Sequence, residues 1–132
     1  MKVLRIGYLG LRTPETERMT WFFRDVLGLE AAAESETATF LRLPTHQRDF
    51  VEVYAEQHDD ERLIPSGVDF AVAFVVDDLE QALAEVRAAG LEVIGDVVWA
   101  AEAFGQPSLV GVGWFFVRGP DGRAYVLEQI PD

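Results

Sequence analysis

The chain carries one short pattern twice. Leu27-Gly28-Leu29-Glu30 returns as Ala89-Gly90-Leu91-Glu92. A strand-like run and a helix-like amphipathic stretch precede each copy, with Leu9-Gly10-Leu11 leading into the first and Val72-Ala73-Phe74 into the second. Two related half-chain units can build one pseudo-symmetric sheet, and the concavity they share is where a small molecule would bind. At 132 residues the size prior is one domain. The expected division is a first module over 1–56, a linker over 57–67 and a second module over 68–132.

Local chemistry supports the repeat. Residues 2–12 alternate as a strand with two partly buried faces. Thr13 offers an N-cap, Pro14 fits the first helical turn, and Met19, Phe22, Phe23, Val26 and Leu27 form one apolar helical stripe that Gly28 ends. Strands are then expected over 29–33, 37–43 and 49–55. Phe50, Glu52 and Tyr54 share one face of the last of these, and Val51 and Val53 share the other. The segment 56–66 is polar and reads as a solvated linker ending in Pro65-Ser66-Gly67.

The second module repeats the order. A strand over 68–76 leads to a helix capped by Asp77 or Asp78, with Leu79, Ala82, Leu83 and Val86 inward and Gly90 as its stop. Strands over 91–100, 109–118 and 123–130 follow, the last two joined by the turn Gly119-Pro120-Asp121-Gly122. The fold class is therefore α+β: two βαβββ modules forming one curved mixed sheet, helices on the outer side and a ligand-binding concavity on the other.

Charge and composition narrow the function. The net charge of −12 disfavours nucleic acid and anionic lipid and favours a cationic or neutral ligand. The absence of cysteine excludes disulfides, thiolate metal sites and cysteine nucleophiles. No apolar run approaches the ~18 residues of a membrane span, and a cytoplasmic protein is expected. No phosphate loop, Ser/His/Asp order or nucleophile elbow is present.

Phe22-Phe23-Arg24-Asp25-Val26-Leu27-Gly28-Leu29, Phe74-Val75-Val76-Asp77-Asp78-Leu79-Glu80 and Gly119-Pro120-Asp121-Gly122-Arg123 together resemble the vicinal oxygen chelate superfamily. That group includes glyoxalase I, bleomycin-resistance proteins and extradiol dioxygenases. The resemblance implies one divalent metal in the concavity, held by ligands from the first and last strands of each module. It also implies a homodimer whose pockets lie between units. Carried over position by position, the ligand places fall on Tyr8, Glu52, Ala71 and Val126. Only Glu52 is a good ligand, so no metal cofactor is expected. A divalent metal at a shifted site of Glu52, Asp69 and Glu128 is the alternative.

The expected ligand-binding residues are Tyr8, Phe50, Glu52, Tyr54, Trp99, Phe104 and Trp114, giving an aromatic wall around a buried acid. Residues 101–108 are the expected lid. His46 and His58 are expected on the surface of polar loops. The favoured function is metal-free binding or sequestration of a small aromatic or cationic molecule. The alternatives are an enzyme, with Glu52 as base and Tyr8 as acid or with the shifted metal site, and a structural protein whose cup is filled by side chains.

Overall fold

The computed structural model describes residues 1–45, 49–100 and 111–131. Eight strands form one curved mixed sheet: β1 (Val3–Thr13), β2 (Glu30–Glu34), β3 (Ala38–Arg42), β4 (Asp49–Ala55), β5 (Phe70–Val76), β6 (Val93–Trp99), β7 (Gly113–Arg118) and β8 (Ala124–Gln129). Their order is β2-β3-β4-β1-β5-β8-β7-β6. β1 pairs parallel with β4, β5 pairs parallel with β8, and the modules meet where β1 runs antiparallel to β5. The registers Gly10↔Glu52 and Ala73↔Val126 superpose the modules, setting Glu52 on Val126 and Tyr54 on Glu128.

Two helices, α1 (Thr16–Trp21) and α2 (Leu79–Ala88), cover one face. Met19 and Phe23 pack on Leu9, Leu11, Leu41, Val51 and Val53, while Leu79, Ala82 and Val86 pack on Val76, Phe115, Val117 and Leu127. Asp78 caps α2 by accepting from the Gln81 N–H at 3.0 Å, as the capping pattern predicts. Gly28 and Gly90 both take positive φ, 81° and 78°, just past the two helical segments, which only a residue without a Cβ does at little cost. No helix among the described residues is long and apolar enough to cross a membrane.

The first helix departs from the expected pattern. It continues beyond Trp21 as one π-helical turn, Phe22–Val26. The wider turn breaks the 3.6-residue stripe, so Met19 and Phe23 reach the sheet while Phe22, Val26 and Leu27 stay exposed. Thr13 accepts from the Glu15 N–H rather than from deeper in the helix, which begins at Thr16.

Candidate functional site

The third cluster of buried side chains lies on the face that neither helix covers, and its members come from strands and from the linker. This face is the cup. Strand periodicity places Glu52 and Tyr54 on it, because Val51 and Val53 are committed to α1. Glu52 is 8% exposed and Tyr54 is fully buried, and the Tyr54 hydroxyl donates to Glu52 Oε1. Tyr8 is buried in the same cluster. A Cβ built on Gly10 would lie 3.8 Å from both the Tyr8 and Tyr54 rings, so the two phenols flank that glycine. Ala71, Ala73 and Ala124 continue the floor with small side chains.

A second carboxylate is buried on this face. Glu128 is 5% exposed and stands opposite Val75 and Trp114 on the neighbouring strands. Between the pairs Ile6↔Phe74 and Leu9↔Val72, three steps on β1 match two on β5. This bulge turns Gly7 toward the cup beside Tyr8. A Cβ at Gly7 would fall 1.9 Å from Glu128 Oε1 and 3.1 Å from Val75 Cγ2. The missing side chain of Gly7 is therefore the seat of the Glu128 carboxylate.

The segment between the modules is solvated along much of its length but buries its apolar end, contrary to its composition. It crosses the cup, and Ile64 and Val68, 2% and 5% exposed, pack in one cluster with Tyr8, Tyr54 and Trp114. Arg12 holds it down. Its guanidinium donates to five carbonyl oxygens: Nε to Val68, Nη1 to Glu56 and His58, and Nη2 to Ile64 and Pro65, at 2.8–3.3 Å. The Trp114 indole N–H donates to the Arg62 carbonyl at 2.8 Å from the other side of the cup. Sequence reasoning missed Arg12. The available signal was Leu63-Ile64-Pro65, an apolar break inside a charged run.

His58 is half-buried rather than fully solvated. Its ring packs against Tyr54 with centroids 4.7 Å apart, Nδ1 lies 2.8 Å from Thr37 Oγ1, and Nε2 is buried without a partner among the described residues. Burial lowers its pKa below 6.5, and Arg12 adds to this, while Asp60 and Asp59 pull the other way. Neutral His58 is thus the folded form near pH 7. As pH falls through 6.5 the unfolded chain takes up a proton that the folded chain resists, so this contribution to stability, complete above 6.5, is lost toward the lower folded pKa. Thermal unfolding of His58→Gln should fall less between pH 7 and pH 5 than that of the unsubstituted protein. Parallel curves would remove His58 from the account.

The comparisons with known proteins agree with this architecture. The profile of the Glyoxalase/Bleomycin resistance protein/Dioxygenase superfamily matches residues 5–123. The chain belongs to that superfamily. Among solved structures of similar shape is the Mn(II)-bound glyoxalase from Novosphingobium aromaticivorans, with TM-score 0.72 and 20% identity over 97% of this chain and 39% of that one. Another is a glyoxalase/bleomycin resistance protein/dioxygenase superfamily member from Vibrio splendidus 12B01, with TM-score 0.62 and 20% identity over 96% of this chain and 99% of that one. A curated relative, the manganese-dependent 2,3-dihydroxybiphenyl 1,2-dioxygenase of Geobacillus genomosp. 3, is 39% identical over 41 residues. That match takes in 31% of this chain and 13% of the dioxygenase.

Two of these relatives are named for manganese. Tyr8, Ala71 and Val126 lie in the cup's buried cluster, and Glu52 is bonded to its Tyr54. One carboxylate, one phenol and two alkyl groups do not fit a divalent ion, which takes several oxygen or nitrogen donors. The shifted site does not assemble either. Asp69 is exposed before the start of β5, six residues and roughly 20 Å along the strand from Val75, which faces Glu128. Among the described residues no three His, Asp or Glu side chains converge.

The structure brings together Tyr8, Glu52, Tyr54 and Trp114. Phe50 is exposed, at the register irregularity where Leu41 faces Val51 and Arg42 faces Asp49. Trp99 is a correction: it lies on the helix-covered face, where its ring fills the space a Cβ on Gly113 would need. Alternation along β6 puts Val93, Val97 and Trp99 on that face and Ile94 and Val98 in the cup cluster. Phe104, His46 and the expected lid fall outside the described residues.

Proposed function

We propose that the cup binds a small aromatic cation directly, with no metal between ligand and protein. Glu52 supports this most. It is a carboxylate held at the floor of an aromatic-walled face, oriented by the Tyr54 hydroxyl and bordered by small residues. Desolvation strengthens the pull of such a group on a cation, and the rings of Tyr8 and Tyr54 lie in the same buried cluster. The charge of −12 works in the same direction at long range. In this reading Glu52 is the counter-charge, Tyr54 its positioning residue, and the Arg12-bound linker the wall that excludes water.

The test uses two matched pairs of probes, tryptamine against indole and benzamidine against benzamide, read by thermal shift and calorimetry. The cation of each pair should bind more tightly than its neutral partner. Glu52→Gln, which keeps an oxygen for Tyr54, should weaken the cations about tenfold or more and leave the neutral compounds unchanged. No discrimination by charge would overturn the proposal.

The metal-dependent relatives favour a second reading, an enzyme of the superfamily with Glu52 as a metal ligand. Metal content of the dialysed protein, with and without added Mn, Fe, Ni or Zn, separates the two. About one tightly bound ion per chain, lost in Glu52→Ala, would establish the enzyme reading and end the metal-free one.

A further inference from the structure

We propose that the helix side of the sheet carries a second binding site, between α1 and the hairpin of β2 and β3, and that it takes a small polyol bearing an amine, such as an amino sugar. A groove of about 500 Å³ runs there, with Val53 on its floor. That volume lies within the ~300–1,000 Å³ of small-molecule sites. Val53 belongs to the cluster under α1, so the groove is separate from the cup and the proposal does not rest on cation binding there.

Three threonines carry the argument. Thr20 follows Thr16 by one turn on α1, and Thr39 stands opposite Val53 on β4. Thr39 alternates with Leu41, so both point to the side where Leu41, Val51 and Val53 pack under Met19 and Phe23. Apolar side chains close that end of the interface. At the other end threonines stand in their place, and the interface opens into the groove. Thr20 is 8% exposed, and Thr16 and Thr39 are half-buried. None of the three hydroxyls has a hydrogen-bond partner among the described residues. A hydroxyl withdrawn from bulk water without a partner costs stability, and a ligand that pairs with it removes that penalty.

The lining selects the ligand. Each hydroxyl both donates and accepts, which suits the hydroxyls of a polyol. The rim supplies charge: Glu17, Glu34 and Glu36 line it, and all three are exposed. Arg24, the cation of the groove, donates to Asp25 at 3.0 Å and lies 3.9 Å from Glu34. The balance stays negative, which draws an ammonium and repels phosphate or carboxylate ligands. No aromatic ring is among the lining residues, so a flat ligand finds no stacking surface. A saturated ring of hydroxyls with an ammonium group meets both the threonines and the acidic rim.

NMR titration of the whole chain, followed at its backbone amides, tests the proposal with glucosamine, glucose and N-acetylglucosamine at mildly acidic pH, where the amine of glucosamine is protonated. Glucosamine should move the amide resonances of Thr16, Thr20 and Thr39, and it should bind more tightly than the two neutral sugars by about tenfold. Thr20→Val removes a hydroxyl and should weaken glucosamine about fivefold or more. Thr39→Val asks the same of a strand residue, where valine is well tolerated, and keeps the test decisive if the helix variant fails to fold. Glu17→Gln combined with Glu36→Gln should bring glucosamine down to the affinity of glucose. Groove amides unmoved at millimolar sugar, equal binding of the three sugars, shifts centred on the cup, or a Thr39→Val variant that binds glucosamine as tightly as the parent would overturn it.

Discussion

Arg12→Ala is expected to lower the unfolding free energy by about 3 kcal/mol and the thermal midpoint by roughly 10 °C. The guanidinium donates to five linker carbonyls that fold over the cup. Hydrogen bonds from a charged donor contribute about 1.5–3 kcal/mol each when counted singly, and five from one group do not add. The alanine variant also strands those carbonyls beside Ile64 and Val68, which the linker otherwise seats in the cup cluster. Arg12→Lys should recover little, since an ammonium has three donors and no planar fork to span residues 56 to 68. A lysine variant as stable as the parent would show that charge alone holds the segment. Limited proteolysis of the alanine variant should cut first within 56–68, because only there does the chain lose its anchor.

Gly7→Ala is expected to cost about 2 kcal/mol, far more than a surface glycine substitution. The new methyl would fall 1.9 Å from Glu128 Oε1, so the buried carboxylate must leave its seat, and Val75 at 3.1 Å leaves little room to yield. The double variant Gly7→Ala with Glu128→Ala should be less destabilised than the sum of the single changes by about 1 kcal/mol or more, since the methyl then meets no carboxylate. Additive effects would mean that the cost of the methyl lies in the β1 bulge itself. The same pair reports on the cup: if Glu128 contributes to cation binding, Gly7→Ala should weaken tryptamine although residue 7 presents no charge.

Much of the architecture was legible beforehand because it rests on short-range rules. Period-two alternation put Val51 and Val53 on one face and Glu52 and Tyr54 on the other, and both assignments hold. Asp78 caps its helix, and Gly28 and Gly90 end theirs, because backbone hydrogen bonding and the left-handed region are decided within a few residues. Trp114 and Phe116 face opposite to Phe115 by the same alternation.

The site was harder to read for reasons of distance. Trp99 was assigned to the cup by its chemistry, but it alternates with Val98, which holds the cup face, and so falls on the other. His58 and the linker were assigned to solvent by composition. An arginine more than forty residues earlier in the chain folds that segment inward instead. The Tyr54 hydroxyl that reaches Glu52 lies two residues along the same strand.

The sequence by itself determined the repeat, the element order, the two faces of each strand and the poverty of the metal-ligand positions. Each depends on residue type and local spacing. Only the tertiary structure decided that the linker walls the cup, that Glu128 rests on Gly7 and that three of the five residues of the first helix's apolar stripe face outward. Those outcomes depend on strand register, on a β-bulge and on a π-helical turn, which bring together residues whose separation along the chain carries no trace of the contact.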